Sequence, residues 1–231
     1  MSKKILKILL IFLFGALGGV WAQAYLLPYL MGSSFFDGEI VINQTQTITV
    51  QENVALTQAI ERVEKTIVGV RTKTASGETL EGTGLAVTSD GLIVTLAELV
   101  PQGADFYFYV DGQLPAWQIL KRDTKSNLAL LKVDQSGLRT AGFANLEKTD
   151  LGERVFLLGT MRLATTTKMF TDEGIVSYFS QDAVVTNIRE SKAAGSPLFN
   201  ISGEVVGISM VGAQGRVSAI PAPVIRDFIG F

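Results

Sequence analysis

The chain is predicted to be all-β, with an apolar helix ahead of two similar sets of six short strands. Runs rich in Val, Ile, Leu and Thr recur over residues 67–220 and are separated by turns of Gly, Asp and Ser. This pattern is typical of a closed barrel or a sandwich. A chain of 231 residues is long enough for two such units around one shared core. The uncharged run near the N-terminus predicts a membrane helix.

The N-terminal segment has three lysines followed by an uncharged run over residues 8–36. About twenty apolar residues span a bilayer, and basic residues ahead of the span predict a cytoplasmic N-terminus. We therefore predict a cytoplasmic segment 1–7, a single-pass transmembrane signal anchor 8–30 and a linker 31–52. The rest of the chain is expected on the extracytoplasmic side.

A cleaved signal peptide is the alternative interpretation of this segment. Residues 22–24, A-Q-A, have the small-x-small form of a cleavage site, so that cleavage would follow Ala24. Residues 25–30 remain apolar after this point, which favours an uncleaved anchor.

Residues 53–231 are predicted to form one domain that starts with a helix over 53–66, because Leu56, Ile60 and Val63 recur at helical spacing. The first set of strands is predicted at 67–73, 83–88, 92–95, 106–110, 117–121 and 128–133. The second set is predicted at 154–159, 168–178, 183–186, 197–200, 205–210 and 217–220, with a short helix over 223–229.

Composition excludes several kinds of chemistry. The chain has no histidine and no cysteine, so imidazole bases, thiol nucleophiles and thiolate metal sites are absent. The formal net charge is −2, which argues against a nucleic-acid partner, because such surfaces are normally basic. The sequence contains no phosphate loop, dinucleotide fingerprint or metal-ligand cluster, and we expect neither cofactor nor metal.

Three segments resemble the trypsin-like serine peptidases of the HtrA type. Residues 192–200, K-A-A-G-S-P-L-F-N, resemble the nucleophile loop G-N-S-G-G-P-L, which continues with a hydrophobic residue and Asn. Residues 82–100 resemble the hairpin that ends in T-N-x-H-V-V. Residues 123–133, D-T-K-S-N-L-A-L-L-K-V, resemble D-x-x-x-D-L-A-V-L-K-V. The order and spacing of the three segments match those of the family.

The resemblance extends over residues 56–231 and implies two six-stranded β-barrels of the trypsin-like peptidase fold. The first barrel, with its leading helix, would occupy residues 53–138, and the second would occupy residues 139–231. The chain ends soon after the A-I-P motif at 219–221, so we expect no C-terminal peptide-binding PDZ module.

The same resemblance implies that the catalytic triad is degenerate. Glu98 occupies the histidine position, Asn127 the aspartate position and Ala194 the nucleophile position. The mechanism needs a nucleophilic oxygen, a base for its proton and a carboxylate that orients the base. Ala194 has no lone pair, Glu98 is a weaker base than imidazole near neutral pH, and Asn127 lacks the charge.

Ser196 and Ser191 are the candidate substitute nucleophiles. Ser196 follows the nucleophile position by two residues, and Ser191 is next to Lys192, so a Ser-Lys dyad is chemically conceivable. Adjacency in sequence does not bring a lysine nitrogen within hydrogen-bond distance of a hydroxyl. Both serines are therefore interpreted first as structural residues.

These observations predict a membrane-anchored, extracytoplasmic pseudopeptidase that binds an extended peptide or an envelope protein. The alternative is a serine endopeptidase with a rearranged active site that uses Ser196 or Ser191. A third interpretation is a structural protein that spaces partners from the membrane. HtrA-type peptidases are often trimers, and the oligomeric state of this chain stays open.

Overall fold

The computed structural model describes residues 3–27, 29, 48–110, 112–163 and 166–230. The chain divides at residue 48 into two compact units. The first unit contains helix α1 (Lys3–Trp21), which continues as a wider π-helical turn over Ala22–Leu26. Residues Ile5–Leu26, with a mean hydropathy of 2.2, are long and apolar enough to cross a bilayer, a property that signal sequences share.

The second unit starts with helix α2 (Ile48–Val63). Residues 31–47 of the predicted linker lie outside the described residues, and its last five residues, 48–52, are helical. The prediction that the helix starts at Asn53 is therefore wrong. Gln51 and Glu52 have good helix propensity, so the helix begins further towards the N-terminus. A short 3₁₀ turn over Glu64–Thr66 ends it.

All twelve predicted strands are confirmed, with shifts of a few residues at their ends. The first six are β1 (Ile67–Lys73), β2 (Thr79–Ala86), β3 (Leu92–Leu96), β4 (Asp105–Tyr109), β5 (Trp117–Asp123) and β6 (Leu128–Val133). The second six are β7 (Arg154–Leu163), β8 (Thr166–Phe179), β9 (Val184–Arg189), β10 (Pro197–Asn200), β11 (Val205–Val211) and β12 (Arg216–Pro221). Helix α3 (Ala222–Ile229) follows β12 directly.

The first six strands form an antiparallel sheet in the order β4-β1-β2-β3-β6-β5, which is a half-barrel and not the fully closed barrel that was expected. In the segment that connects β4 to β5, the only β-pairing among the described residues is the isolated bridge of Val110 with Gln113. Pro115, which has no N–H to donate, lies in this connection. Trp117 packs edge-on against Phe106 and Phe108 at ring-centroid distances of 5.2 and 5.6 Å. Side chains thus fill the seam in place of a backbone ladder.

The second six strands form a closed antiparallel barrel in the order β10-β11-β12-β9-β8-β7. Its most extended feature is the β7–β8 hairpin, which pairs continuously from Arg154 opposite Ile175 to Leu163 opposite Thr166. The end of this hairpin extends past β10, which pairs only with residues 155–157 of β7.

One cluster of buried apolar side chains is shared by the two sheets, and a second cluster lies within the closed barrel, which corrects the expectation of one shared core. Phe156 and Phe199 of the second barrel stack at 5.4 Å and belong to the same cluster of buried side chains as β1, β3 and β6. Helix α3 buries Ile225 and Phe228 against this core.

A network of buried hydroxyl groups joins the two sheets. The Oγ1 atom of Thr83 in β2 accepts a hydrogen bond from the N–H of Thr160 in β7 at 2.8 Å. Thr160 Oγ1 donates to the carbonyl of Gly82 at 3.1 Å, and Thr95 Oγ1 donates to the carbonyl of Thr83 at 2.7 Å. All three threonines are buried. Because a buried polar group without a partner is costly, this network fixes the register between the sheets.

We expect Thr83→Val to lower the free energy of unfolding by about 1–3 kcal/mol, because it leaves the buried N–H of Thr160 without its acceptor. Urea denaturation of the purified domain measures this change. Thr79→Val is the matched control, since Thr79 is an exposed residue of the same strand, and its effect should stay within about 0.5 kcal/mol. Equal effects of the two substitutions would contradict a role for the network.

Candidate functional site

The loop that contains Ala194 is held by backbone hydrogen bonds from both sheets. The N–H of Thr83 donates to the carbonyl of Ala194 at 3.0 Å, and the N–H of Gly195 donates to the carbonyl of Ser209 at 2.8 Å. Gly195 has a φ of +74°, and a Cβ atom there would lie 2.1 Å from the carbonyl oxygen of Thr83. The site therefore requires glycine at this position, for its backbone angle and for space.

Glu98 and Asn127 are brought together by backbone contacts. Glu98 lies in a short 3₁₀ turn (Ala97–Leu99) at the end of β3, and Asn127 immediately precedes β6. Asn127 Oδ1 accepts from the N–H of Glu98 at 3.0 Å, and its backbone carbonyl accepts from the N–H of Ala97 at 3.0 Å. The side chain of Glu98 is exposed. The contact of the Asn127 carboxamide is therefore with the backbone of the turn and not with the Glu98 carboxylate.

Asp123 shapes the turn that presents Asn127. Its Oδ1 accepts from the N–H of Lys125 at 2.9 Å, and its Oδ2 accepts from the hydroxyl of Ser126 at 2.9 Å. Asn127 itself has a φ of +53°, a left-handed conformation that Asn tolerates better than most residues. The N–H of Lys125, followed by the hydroxyl of Ser126, holds the pKa of Asp123 below its ordinary value.

Ser196, one of the two candidate substitute nucleophiles, is fully buried. Its N–H donates to the carbonyl of Ala193 at 2.9 Å, and its hydroxyl donates to Thr83 Oγ1 at 3.4 Å. The serine thus belongs to the hydroxyl network between the sheets.

Ser191, the other candidate, lies in an exposed part of the loop. The adjacent Lys192 extends its Nζ atom to within 3.9 Å of the Sδ atom of Met161 in β7. The amine of Lys192 therefore has its contact on the β7–β8 hairpin and not at a serine hydroxyl.

Glu190, which the sequence analysis did not identify, contacts the amide that an oxyanion hole would use. In the triad mechanism, the N–H of the nucleophile residue and that of the residue two positions before it stabilise the developing negative charge. These positions are Ala194 and Lys192 here, and the N–H of Lys192 donates to Glu190 Oε1 at 2.8 Å. The Glu190 carboxylate thus accepts a hydrogen bond from one of the two N–H groups that would otherwise donate to an oxyanion. The only feature of the sequence that indicated this contact was an acidic residue two positions before Lys192.

Ser209 in β11 is a second residue that the sequence analysis did not identify. Its backbone forms hydrogen bonds with Gly195 and Ser196, and its hydroxyl is buried with no partner among the described residues. The only feature of the sequence that set Ser209 apart was its position as a serine within the apolar run V-V-G-I-S-M. Over the described part of the chain, no group of three or more acidic side chains lies close enough together to hold a metal ion.

The comparisons with known proteins agree with this fold. The family model described as "Trypsin-like peptidase domain" matches residues 82–208, which is more than half of the chain. The chain therefore belongs to the family of trypsin-like peptidase domains. The predicted resemblance is confirmed at this level.

Two curated relatives that match the chain share one description. A "Probable periplasmic serine endoprotease DegP-like" of Rhizobium meliloti (strain 1021) is 31% identical over 164 residues, which are 64% of this chain and 32% of the relative. A protein of the same description from Halomonas elongata is 31% identical over 63% of this chain and 34% of its own length. The chain thus spans about a third of the length of these relatives.

A solved structure described as "HtrA-type protease AlgW with tripeptide" is similar in fold. It superposes with a TM-score of 0.66 at 20% identity, over 76% of this chain and 62% of its own. At this identity the similarity concerns the fold alone.

The stability contributed by Asp123 is expected to depend on pH. A carboxylate whose pKa is lower in the folded state contributes stability above its unfolded pKa of about 3.9. This contribution is lost as the pH falls through the lower folded pKa. Asp123→Asn should therefore lower the urea midpoint at neutral pH and have a smaller effect below about pH 3. Asp134→Asn, an exposed residue with the same change of charge, is the control, and a pH-independent effect of Asp123→Asn would refute the interpretation.

Proposed function

We propose that this chain is a membrane-anchored, extracytoplasmic homologue of HtrA-type peptidases that does not cleave peptide bonds and binds extended peptides or partner proteins in its cleft. The observation that carries the proposal is the methyl group of Ala194 at the nucleophile position, in a loop whose backbone contacts are intact. A methyl group can neither attack a carbonyl nor donate a proton, so the acyl-enzyme step has no nucleophile there.

The residues at the other two triad positions support inactivity. Glu98 is exposed, and its carboxylate stands where the mechanism uses an imidazole to accept the proton of the nucleophile. The oxygen of the Asn127 side chain already accepts the N–H of Glu98. Asn127 also carries no charge with which to stabilise a protonated base. The chain has no histidine at any position, so no imidazole replaces the missing base.

The geometry of the two serines argues against a rearranged active site. Ser196 is inaccessible to a peptide carbonyl because its side chain is fully buried between the sheets. Ser191 is exposed, but the amine of Lys192 contacts Met161. The N–H of Lys192 already donates to the Glu190 carboxylate. A tetrahedral intermediate would therefore lack a free hydrogen-bond donor at that position.

Peptide binding is supported by the end of β11, one edge of which has no strand partner among the described residues. The backbone of Ser209 faces the Ala194 loop, whereas the N–H of Gly212 donates to Arg216 of the β12 side. Because successive residues of a strand alternate in direction, the N–H and carbonyl of Val211 face the same side as those of Ser209. Strand β10 begins at Pro197 opposite Ile208, so it does not reach Val211. An extended peptide can pair with this edge by strand addition.

The proposed location follows from the N-terminal helix together with the relatives. Helix α1 and its π-helical continuation contain a stretch of 22 residues with the length and hydropathy of a bilayer span. The relatives from Rhizobium meliloti and Halomonas elongata are described as periplasmic. An uncleaved anchor with a cytoplasmic N-terminus would hold the β domain on the same side of the membrane as those proteins.

We expect purified protein to show no stoichiometric labelling by a fluorophosphonate probe and no hydrolysis of unfolded casein. The reason is that loss of the triad lowers turnover about a million-fold. Active trypsin serves as the positive control. Labelling that disappears in Ser196→Ala or Ser191→Ala would instead establish a serine endopeptidase with a rearranged site.

Peptide binding at β11 is expected to depend on the N–H of Val211. Val211→Pro removes this donor, and we expect it to weaken binding of an extended peptide about ten-fold in fluorescence anisotropy, the size of a lost buried hydrogen bond. Val211→Ala keeps the N–H and is the matched control. Equal affinities of the two variants would exclude strand addition at this edge.

A further inference from the structure

Two lysines converge on Met161 at the end of the β7–β8 hairpin. Met161 of β7 lies directly opposite Lys168 of β8 in the antiparallel ladder, so their side chains lie on the same face of the hairpin. Lys192, from the loop that contains Ala194, reaches the same place with its Nζ atom 3.9 Å from Met161 Sδ. Met161, Lys168 and Lys192 are called the cationic rim below.

The charges of this rim are not neutralised within the described residues. Lys168 and Lys192 are exposed, and neither forms an ion pair there, unlike Lys132 with Asp90 at 2.7 Å. Glu190 Oε1 accepts the backbone N–H of Lys192 and not its ammonium group. Glu81, which borders the same surface pocket as Met161, is paired with Arg71 at 3.8 Å. Two positive charges therefore face solvent on a chain whose net charge is −2.

The cationic rim adjoins the candidate site. Met161 borders a small surface pocket together with Gly82 and Thr160. Gly82 lies so close to the Ala194 loop that a Cβ atom on it would be 2.7 Å from the carbonyl oxygen of Ala194. A peptide that runs past Ala194 toward β7 would thus place its side chains within reach of the two ammonium groups.

From this arrangement we infer that the cationic rim recognises an acidic segment of an extended peptide bound in the cleft. The inference rests on the proposed function and adds the class of peptide. Carboxylates of Asp or Glu complement the two lysines, and the thioether of Met161 offers a soft, adaptable contact for the aliphatic part of a Glu side chain. The Glu190 carboxylate, held by the amide of Lys192, leaves the ammonium of that lysine available.

The test compares an acidic extended peptide with an isosteric peptide in which every Asp and Glu is replaced by Asn or Gln. Binding to the full chain in detergent is measured by fluorescence anisotropy at low and high salt. Exposed ion pairs contribute little individually, so we expect the acidic peptide to bind roughly three- to ten-fold more tightly at low salt. This preference should shrink at high salt because the charges are exposed.

The double variant Lys168→Gln/Lys192→Gln should abolish the preference, because it lowers the affinity for the acidic peptide more than the affinity for the neutral peptide. The matched control is Lys73→Gln/Lys148→Gln, which removes the same two charges from exposed positions outside the hairpin and should retain the preference. Circular dichroism verifies that all variants are folded.

The possible results separate the inference from the function on which it rests. Equal binding of the two peptides to the unsubstituted chain, or a preference that survives in Lys168→Gln/Lys192→Gln, would overturn the inference and leave peptide binding standing. Failure of both peptides to bind would overturn the proposed function and the inference with it. Self-association in sedimentation that Lys168→Gln/Lys192→Gln abolishes would show that a second copy occupies the rim, and would also overturn the peptide assignment.

Discussion

The hydrogen bond from the N–H of Thr83 to the carbonyl of Ala194 is the contact on which the candidate site depends. It connects strand β2 of the first sheet to a loop of the second barrel, at a point where glycines on both sides let the backbones approach. Around it, Thr95, Thr160 and Ser196 form further buried hydrogen bonds. The conformation of the loop is therefore set by backbone hydrogen bonds and by the packing of the two sheets, against which the methyl group of Ala194 also packs.

Because of this arrangement, the structure can lose proton-transfer chemistry without losing the site. Asn127 illustrates the point at the level of single atoms. A side-chain oxygen is needed there to accept the N–H of Glu98, and an amide oxygen serves this purpose as a carboxylate oxygen would. The negative charge, in contrast, matters only for a protonated base, and none is present. Under the proposed function, each triad position thus holds a residue that is compatible with the fold and unsuited to the reaction.

The strands were predictable from sequence because their signals are local. Alternating β-branched residues and glycine turns define β1, β6 and β10 to the residue, and the frames around Glu98, Asn127 and Ala194 followed from short motifs. The start of α2, the open seam between β4 and β5, and the contact of Glu190 with the amide of Lys192 were not predicted. These features depend on how far a helix extends without a stop signal, on aromatic packing across a seam, and on a loop conformation that the other sheet imposes.

The proposed binding function makes different demands on the site from those that catalysis would make. An enzyme gains nothing from tight binding of the ground state, whereas a protein that only binds is not limited in this way. Pairing with the edge of β11 uses main-chain groups that every peptide has, so it provides affinity with little selectivity. Discrimination between peptides must then come from side chains along the cleft wall. The cationic rim of Met161, Lys168 and Lys192 would form part of that wall. It combines two lysines that have no ion-pair partner among the described residues with the flexible apolar side chain of Met161. These are properties that can distinguish one extended peptide from another.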